Sequence, residues 1–147
     1  MYDDIRNSIQ SGDIFFTYSD DVLSRLIRFF TRSSVSHVGL FIATGGRVFT
    51  VESIQGKGCV MTLASVRLKN KDFIVKEGHS LMEEDIENIL GDVGRVKYDW
   101  WGAAVSLFID TKSSRQFCSE WVAQKLKLDF SFLRRGVTPV DILTMFS

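Results

Sequence analysis

Cysteine is scarce in this sequence: Cys59 and Cys118 are its only two. Two thiols are too few for the disulfide framework of a small secreted domain. Only His37 and His79 stand beside them, so a zinc site would need all four side chains to converge. No CxxC or HxxxH spacing supports one. No metal or other cofactor is expected. An excess of charge of one sign is also lacking. Eighteen basic and eighteen acidic residues cancel, so no strong net field recruits nucleic acid or an anionic membrane. The stretch from Met1 to Ser11 is polar and charged, without the basic start and apolar core of a signal peptide. No apolar run is long enough to span a bilayer. The expectations are a cytoplasmic address and no integral membrane segment. Phosphate-cradling loops are missing too. Gly45-Gly46 and Gly56/Gly58 belong to neither a GxGxxG nor a GK[ST] pattern. No Gly-x-Ser-x-Gly nucleophile elbow occurs, and the basic residues do not alternate with aromatics as a single-strand binding surface would require.

What is present suits one domain over residues 1–147. Hydrophobic residues make up 45% and charged residues 24%, an ordinary globular balance. Twelve phenylalanines are many for this length. They read first as core, with an aromatic groove for acyl chains as the functional alternative.

The pattern along the chain is strand-rich first and helical afterwards. Ile14 to Tyr18 is a compact apolar run that predicts a buried strand. Ser19-Asp20-Asp21 offers capping oxygens, and Val22, Leu23, Leu26, Ile27 and Phe30 then recur at helical spacing. Val35 to Ala43 predicts a second strand, turned by Gly45-Gly46 into a third over Arg47 to Ile54. Cys59 to Leu63 and Asp72 to Lys76 follow as strands, with Ala64 to Asn70 as a short helix or loop between them. Ser80-Leu81-Met82-Glu83 has the form of a capping box before a helix ending near Gly94. Tyr98 to Gly102 leads into an apolar helix over Ala103 to Ile109. An amphipathic helix follows Cys118, with Trp121, Val122, Leu126 and Leu128 on its apolar side. The only proline, Pro139, sits where a helix capped by Thr138 would begin. The fold class is α+β: a barrel-like antiparallel meander from residues 12 to 76, packed against helices.

Cys118 lies where an irregular segment gives way to a helix. A helix start offers unpaired N–H groups and the positive end of the macrodipole, which favour a nucleophilic thiolate. Its bland alternative is a small apolar packing residue. His37, at a strand start, is either a structural hydrogen-bonding group or the base that takes the thiol proton. Glu52 lies across the Gly45-Gly46 hairpin from His37, where a carboxylate can orient the imidazole; an exposed cross-strand glutamate is its alternative. Cys59 and His79 form a rival pair, without a helix start to activate the thiol.

Gly12-Asp13-Ile14, Ser36-His37-Val38-Gly39, Glu52, Tyr98-Asp99 and Phe117-Cys118-Ser119-Glu120 fall in an order that resembles the YiiX-type branch of the NlpC-like, circularly permuted papain-like cysteine hydrolases. The resemblance covers about Gly12 to Asp141. It implies a permuted papain-like fold, with Cys118 as nucleophile, His37 as general base and then acid, and Glu52 as the orienting group. It implies an oxyanion hole from N–H groups at the start of the Cys118 helix, and a structural part for Tyr98 and Asp99. Ser119 and Glu120 match the pattern as helix-start residues. The implied chemistry is peptidase-like or amidase-like cleavage of an amide or ester through an acyl-thioester on the cysteine. The substrate would be a small molecule, peptide or lipid. A lipid acyltransferase or phospholipase is the alternative within the resemblance, although Phe117 stands where some lipid-acting relatives carry asparagine. A non-catalytic interaction module on the same fold is the third reading.

Overall fold

The computed structural model describes residues 2–18, 35–54, 56–95, 118–131, 133 and 136–147. The expected helices over 22–30 and 103–109, with the polar stretch 110–115, lie outside the described residues.

Five antiparallel strands form the sheet: β1 (Ile14–Thr17), β2 (His37–Thr44), β3 (Arg47–Ile54), β4 (Gly58–Leu63) and β5 (Phe73–Lys76). The β2–β3 hairpin turns on Gly45 and Gly46, both at positive φ (57° and 69°). That is the backbone a two-residue turn needs to match strand twist. β1 to β4 make the expected meander. β5 departs from it, since the spatial order is β4-β3-β2-β1-β5. A single helical turn, α2 (Ala64–Arg67), and the residues after it carry the chain across one face to the free edge of β1. β1 is thereby paired on both sides, and all four of its residues are buried.

Alternation along the strands sorts the core into two layers. Ile14, Phe16, Val38, Leu40, Ile42 and Val51 face α3 (Glu83–Gly91), α4 (Cys118–Lys125) and α5 (Pro139–Met145). Trp121 and Val122 of α4 are fully buried there. Phe15, Phe41 and Val48 face α1 (Tyr2–Ile5) and α2, with Ala64 and Leu68 closing that layer. The sequence order of strands followed by helices thus becomes a sheet with helices on both faces.

Two caps differ in fate. Thr138 and Asp141 behave as expected: the Asp141 carboxylate accepts from the Thr138 backbone N–H at 2.8 Å and from its hydroxyl at 2.7 Å. The expected box at Ser80 is displaced by two residues. α3 starts after Met82, and the carboxylate of Asp85 reaches back to the Met82 N–H at 3.2 Å. That reach-back from the third helical position is the half of a capping box that satisfies the cap residue's own N–H.

Asp13 anchors the start of β1. Its carboxylate accepts from the N–H of Gln10 at 2.8 Å and of Gly78 at 3.1 Å. The Gly12-Asp13-Ile14 stretch is therefore a brace that ties the lead-in and the exit of β5 to the sheet.

Candidate active site

The site forms at the first residue of β2. His37 shares a sheet face with Gly39, and Gly39 lies one step beyond the Leu40–Val51 pair, opposite Glu52. The register puts Ile54 directly across from His37 and makes Glu52 the diagonal neighbour. The gap is closed by the glutamate's length and by the missing side chain at Gly39. A Cβ there would sit 2.6 Å from the Phe15 ring and 2.9 Å from the Glu52 Cβ. His37 Nε2 and Glu52 Oε2 are 2.7 Å apart.

The Cys118 thiol is hydrogen-bonded to the same ring. Cys118 is the first residue of α4 and belongs to the core layer on the α4 face. Glu52 belongs to the other face, so the imidazole at the strand end joins sulfur from one layer to carboxylate from the other. With Nε2 taken by Glu52, Nδ1 is the nitrogen left for the sulfur. The sequence-derived trio of Cys118, His37 and Glu52 is therefore brought together in one line.

Burial and charge shape this line. Cys118 is 4% exposed and Glu52 is fully buried, while the His37 side chain keeps 16% of its surface. Burial opposes a charge on His37. It is outweighed by the charge of Cys118 and the hydrogen bond to it, then by Glu52, and the pKa rises from 6.5 to about 10. Burial likewise opposes a charge on Glu52. Hydrogen bonds from His37 and Arg67 overcome it, and the pKa falls from 4.5 to about 2.

Arg67 is the residue that sequence reasoning missed. From α2 its Nε donates to Glu52 Oε1 at 2.5 Å and its Nη2 to Oε2 at 2.8 Å. A fully buried carboxylate requires a cation, but nothing in the spacing selects Arg67 over Lys69 or Lys71. Only the path of α2 across the sheet face does so.

The rival pair is not assembled. Cys59 lies in edge strand β4 and His79 follows β5 at the opposite edge. Cys59 is 1% exposed, and burial, with the charge of Asp92, pushes its pKa up to about 11. His79 is exposed and its ring stands edge-on to Phe146. Ser119 has a structural part: its hydroxyl donates to the Val137 carbonyl at 2.5 Å, tying the start of α4 to the segment before α5. Tyr98, Asp99 and Phe117 lie outside the described residues.

Among the described residues no helix is long and apolar enough to cross a membrane. A cavity of about 400 Å³ opens between α1, α2 and β5, lined by Tyr2, Leu68 and Phe73 together with Asp3, Lys71 and Asp72. It includes none of Cys118, His37 and Glu52, and its mixed charge does not suit an acyl chain.

No protein-family model matches the sequence, and no curated protein sequence matches it. A solved structure does: a crystal structure described as metalloprotein yiiX from Escherichia coli O157:H7. It superposes with a TM-score of 0.62 at 22% identity, covering 85% of this chain and 68% of that one. At that identity the likeness is one of fold, and the chain has the YiiX-type fold that its order of histidine, glutamate and cysteine resembled.

Proposed function

We propose that the chain is a cysteine hydrolase that cleaves an amide or ester through an acyl-thioester on Cys118. The observation that carries this reading is the unbroken line from the Cys118 sulfur through the His37 ring to Glu52. In the reaction, the Sγ proton resides on His37 as the sulfur attacks the substrate carbonyl carbon. Backbone N–H groups at the start of α4 stabilise the oxyanion that forms. Collapse expels the amine or alcohol, which receives its proton from His37. Water then attacks the thioester with His37 as base, and the acid leaves as the thiol reforms. Glu52 accepts from Nε2–H throughout and stabilises the imidazolium.

The structural neighbour is called a metalloprotein, so the fit of a metal deserves a test on this chain's own residues. Both oxygens of Glu52 are engaged by Arg67 and His37, and His37 is itself held by Glu52 through Nε2 and by a hydrogen bond with Cys118. Among the described residues no three His, Cys, Asp or Glu side chains are grouped to hold an ion. These residues do not fit a metal, and no step is drawn through one.

The test compares wild type, Cys118→Ser and His37→Ala with peptide-amide, ester and acyl-thioester probes. The expected result is a covalent acyl adduct on Cys118 in the wild type, absent in Cys118→Ser. In His37→Ala acylation falls by about 10²- to 10⁴-fold. A Cys118 that stays inert to all three probes and to iodoacetamide sinks the hydrolase reading in favour of a non-catalytic module.

A further inference from the structure

The arginine behind the glutamate has a consequence for which nitrogen of His37 carries a proton. We infer that Arg67 is a positioning residue that sets the His37 tautomer, by keeping Glu52 an acceptor only. This rests on the hydrolase reading for its functional meaning, but the tautomer itself does not depend on turnover.

A carboxylate accepts hydrogen bonds; a protonated carboxyl can also donate one. While Glu52 is ionised, the 2.7 Å contact to Nε2 obliges the ring to donate there. Nδ1 is then the nitrogen that exchanges its proton with Cys118. If Glu52 were protonated, its hydroxyl could donate to Nε2. The neutral ring would then carry its proton on Nδ1, facing the sulfur, and would no longer be a base toward it. A fully buried glutamate is under pressure to take that proton, because burial acts against its charge more than any other single influence. Arg67 removes the option. Its guanidinium offers only donors, two of which occupy Oε1 and Oε2.

The other groups around this carboxylate do not substitute for it. Lys71 acts on Glu52 only through space, from an exposed position in the loop after α2. Cys59, from β4, feels the charge of Glu52 as a buried thiol with a raised pKa. Cys118, from α4, acts on the His37 ring and not on the carboxylate. Among the described residues, Arg67 alone donates to both oxygens of Glu52.

The test uses the full chain as wild type, Arg67→Met, Arg67→Lys, Glu52→Gln and the double variant E52Q/R67M. Nitrogen NMR of the imidazoles reports the tautomer and charge of His37, with His79 as an internal reference. Alkylation of Cys118 by iodoacetamide, read by peptide mass spectrometry across pH, reports the consequence. The expected outcome in Arg67→Met is loss of the Nε2-protonated form of His37 and an acid limb of Cys118 alkylation moved to higher pH. A displacement of one pH unit makes that rate about tenfold lower on the limb. Arg67→Lys recovers part of both. In the Glu52→Gln background, adding Arg67→Met changes neither readout, because the arginine acts through the carboxylate.

An acid limb and tautomer unchanged in a folded Arg67→Met protein overturn the inference. So does an equal shift in the Glu52→Gln background. If Arg67→Met does not fold, Arg67→Lys decides by the same readouts: a wild-type tautomer and limb despite the lost fork count against the inference. Failure of the hydrolase reading looks different. It leaves Cys118 inert in the wild type while the His37 nitrogens still respond to Arg67→Met.

Discussion

Gly39 shows how much the site depends on an atom that is not there. The Ser36-His37-Val38-Gly39 stretch places a glycine two residues after the histidine, on the same face and opposite Glu52. A methyl group at that position would meet the Phe15 ring at 2.6 Å and the Glu52 Cβ at 2.9 Å. Phe15 is fully buried against Phe41, with ring centres 5.2 Å apart, and has little room to retreat. The glutamate would yield instead, carrying its carboxylate away from His37. Gly39→Ala is therefore expected to cost about 1–3 kcal/mol of stability by overpacking. It should also slow Cys118 alkylation, while the far larger disturbance of a charged replacement is not needed to see the effect. Urea unfolding and alkylation rates measured on one preparation check it; an unchanged midpoint would mean that the sheet opens more easily than the packing implies. The histidine and the cysteine were readable as chemical types from the sequence, and the glutamate as a cross-hairpin partner. Gly39 was readable only as part of a resemblance, because its function is to leave space.

At the scale of elements, the site depends on where α4 is held. Asp92, just past the end of α3, accepts from Trp121 Nε1 at 2.9 Å and from Lys125 Nζ at 2.6 Å. Lys125 also donates to the Asn88 side chain at 2.7 Å. The apolar side of α4 fixes its face against the sheet, but apolar contacts alone allow a helix to slide or turn. These polar contacts set its register, and with it the position of Cys118 at the helix start. Asp92→Ala leaves a fully buried indole N–H without its acceptor, which costs about 1–3 kcal/mol. Asp92→Asn keeps an acceptor and should lose less. Hydrogen exchange along α4 distinguishes local loosening from a global loss: faster exchange confined to Trp121 through Lys125 is the expected pattern. The helix itself was legible from the spacing of Trp121, Val122 and Leu126. Its partner was not, since Asp92 and Trp121 are joined only by the fold. The same holds for β5, whose alternation marks a strand but does not say which edge it takes.

For the whole molecule, the site leaves a mark on stability against pH. His37 has a folded pKa raised from 6.5 to about 10. A raised base contributes stability that is fully present below its unfolded value and is lost as pH climbs through its folded value. Glu52 is lowered from 4.5 to about 2. Its contribution is fully present above 4.5 and is lost as pH falls toward 2. These two groups therefore place the stability plateau between about pH 4.5 and 6.5, with a decline on each side. Cys118 is the largest influence holding the His37 value up. Cys118→Ser should flatten the alkaline decline and leave the acid one in place. Denaturant midpoints measured from about pH 3 to 10 check this, and an alkaline decline identical in Cys118→Ser would remove the sulfur from the pair.

The sequence by itself determined the fold class of this protein and the chemical types of its candidate site residues. Alternation and helical spacing are local signals, carried by neighbours a few residues apart, so strands, helices and the Thr138–Asp141 cap could be read directly. The hairpin at Gly45-Gly46 is local too, and it carried His37 and Glu52 to the same neighbourhood. The tertiary structure decided the rest. It sent β5 to the edge of β1, took α2 across the sheet so that Arg67 meets Glu52, and set α4 against Asp92 so that Cys118 meets His37. Each of these depends on contacts between residues far apart in the chain. Their energies come from burial and from pairing charges inside the molecule, and neither quantity exists until the layers have closed.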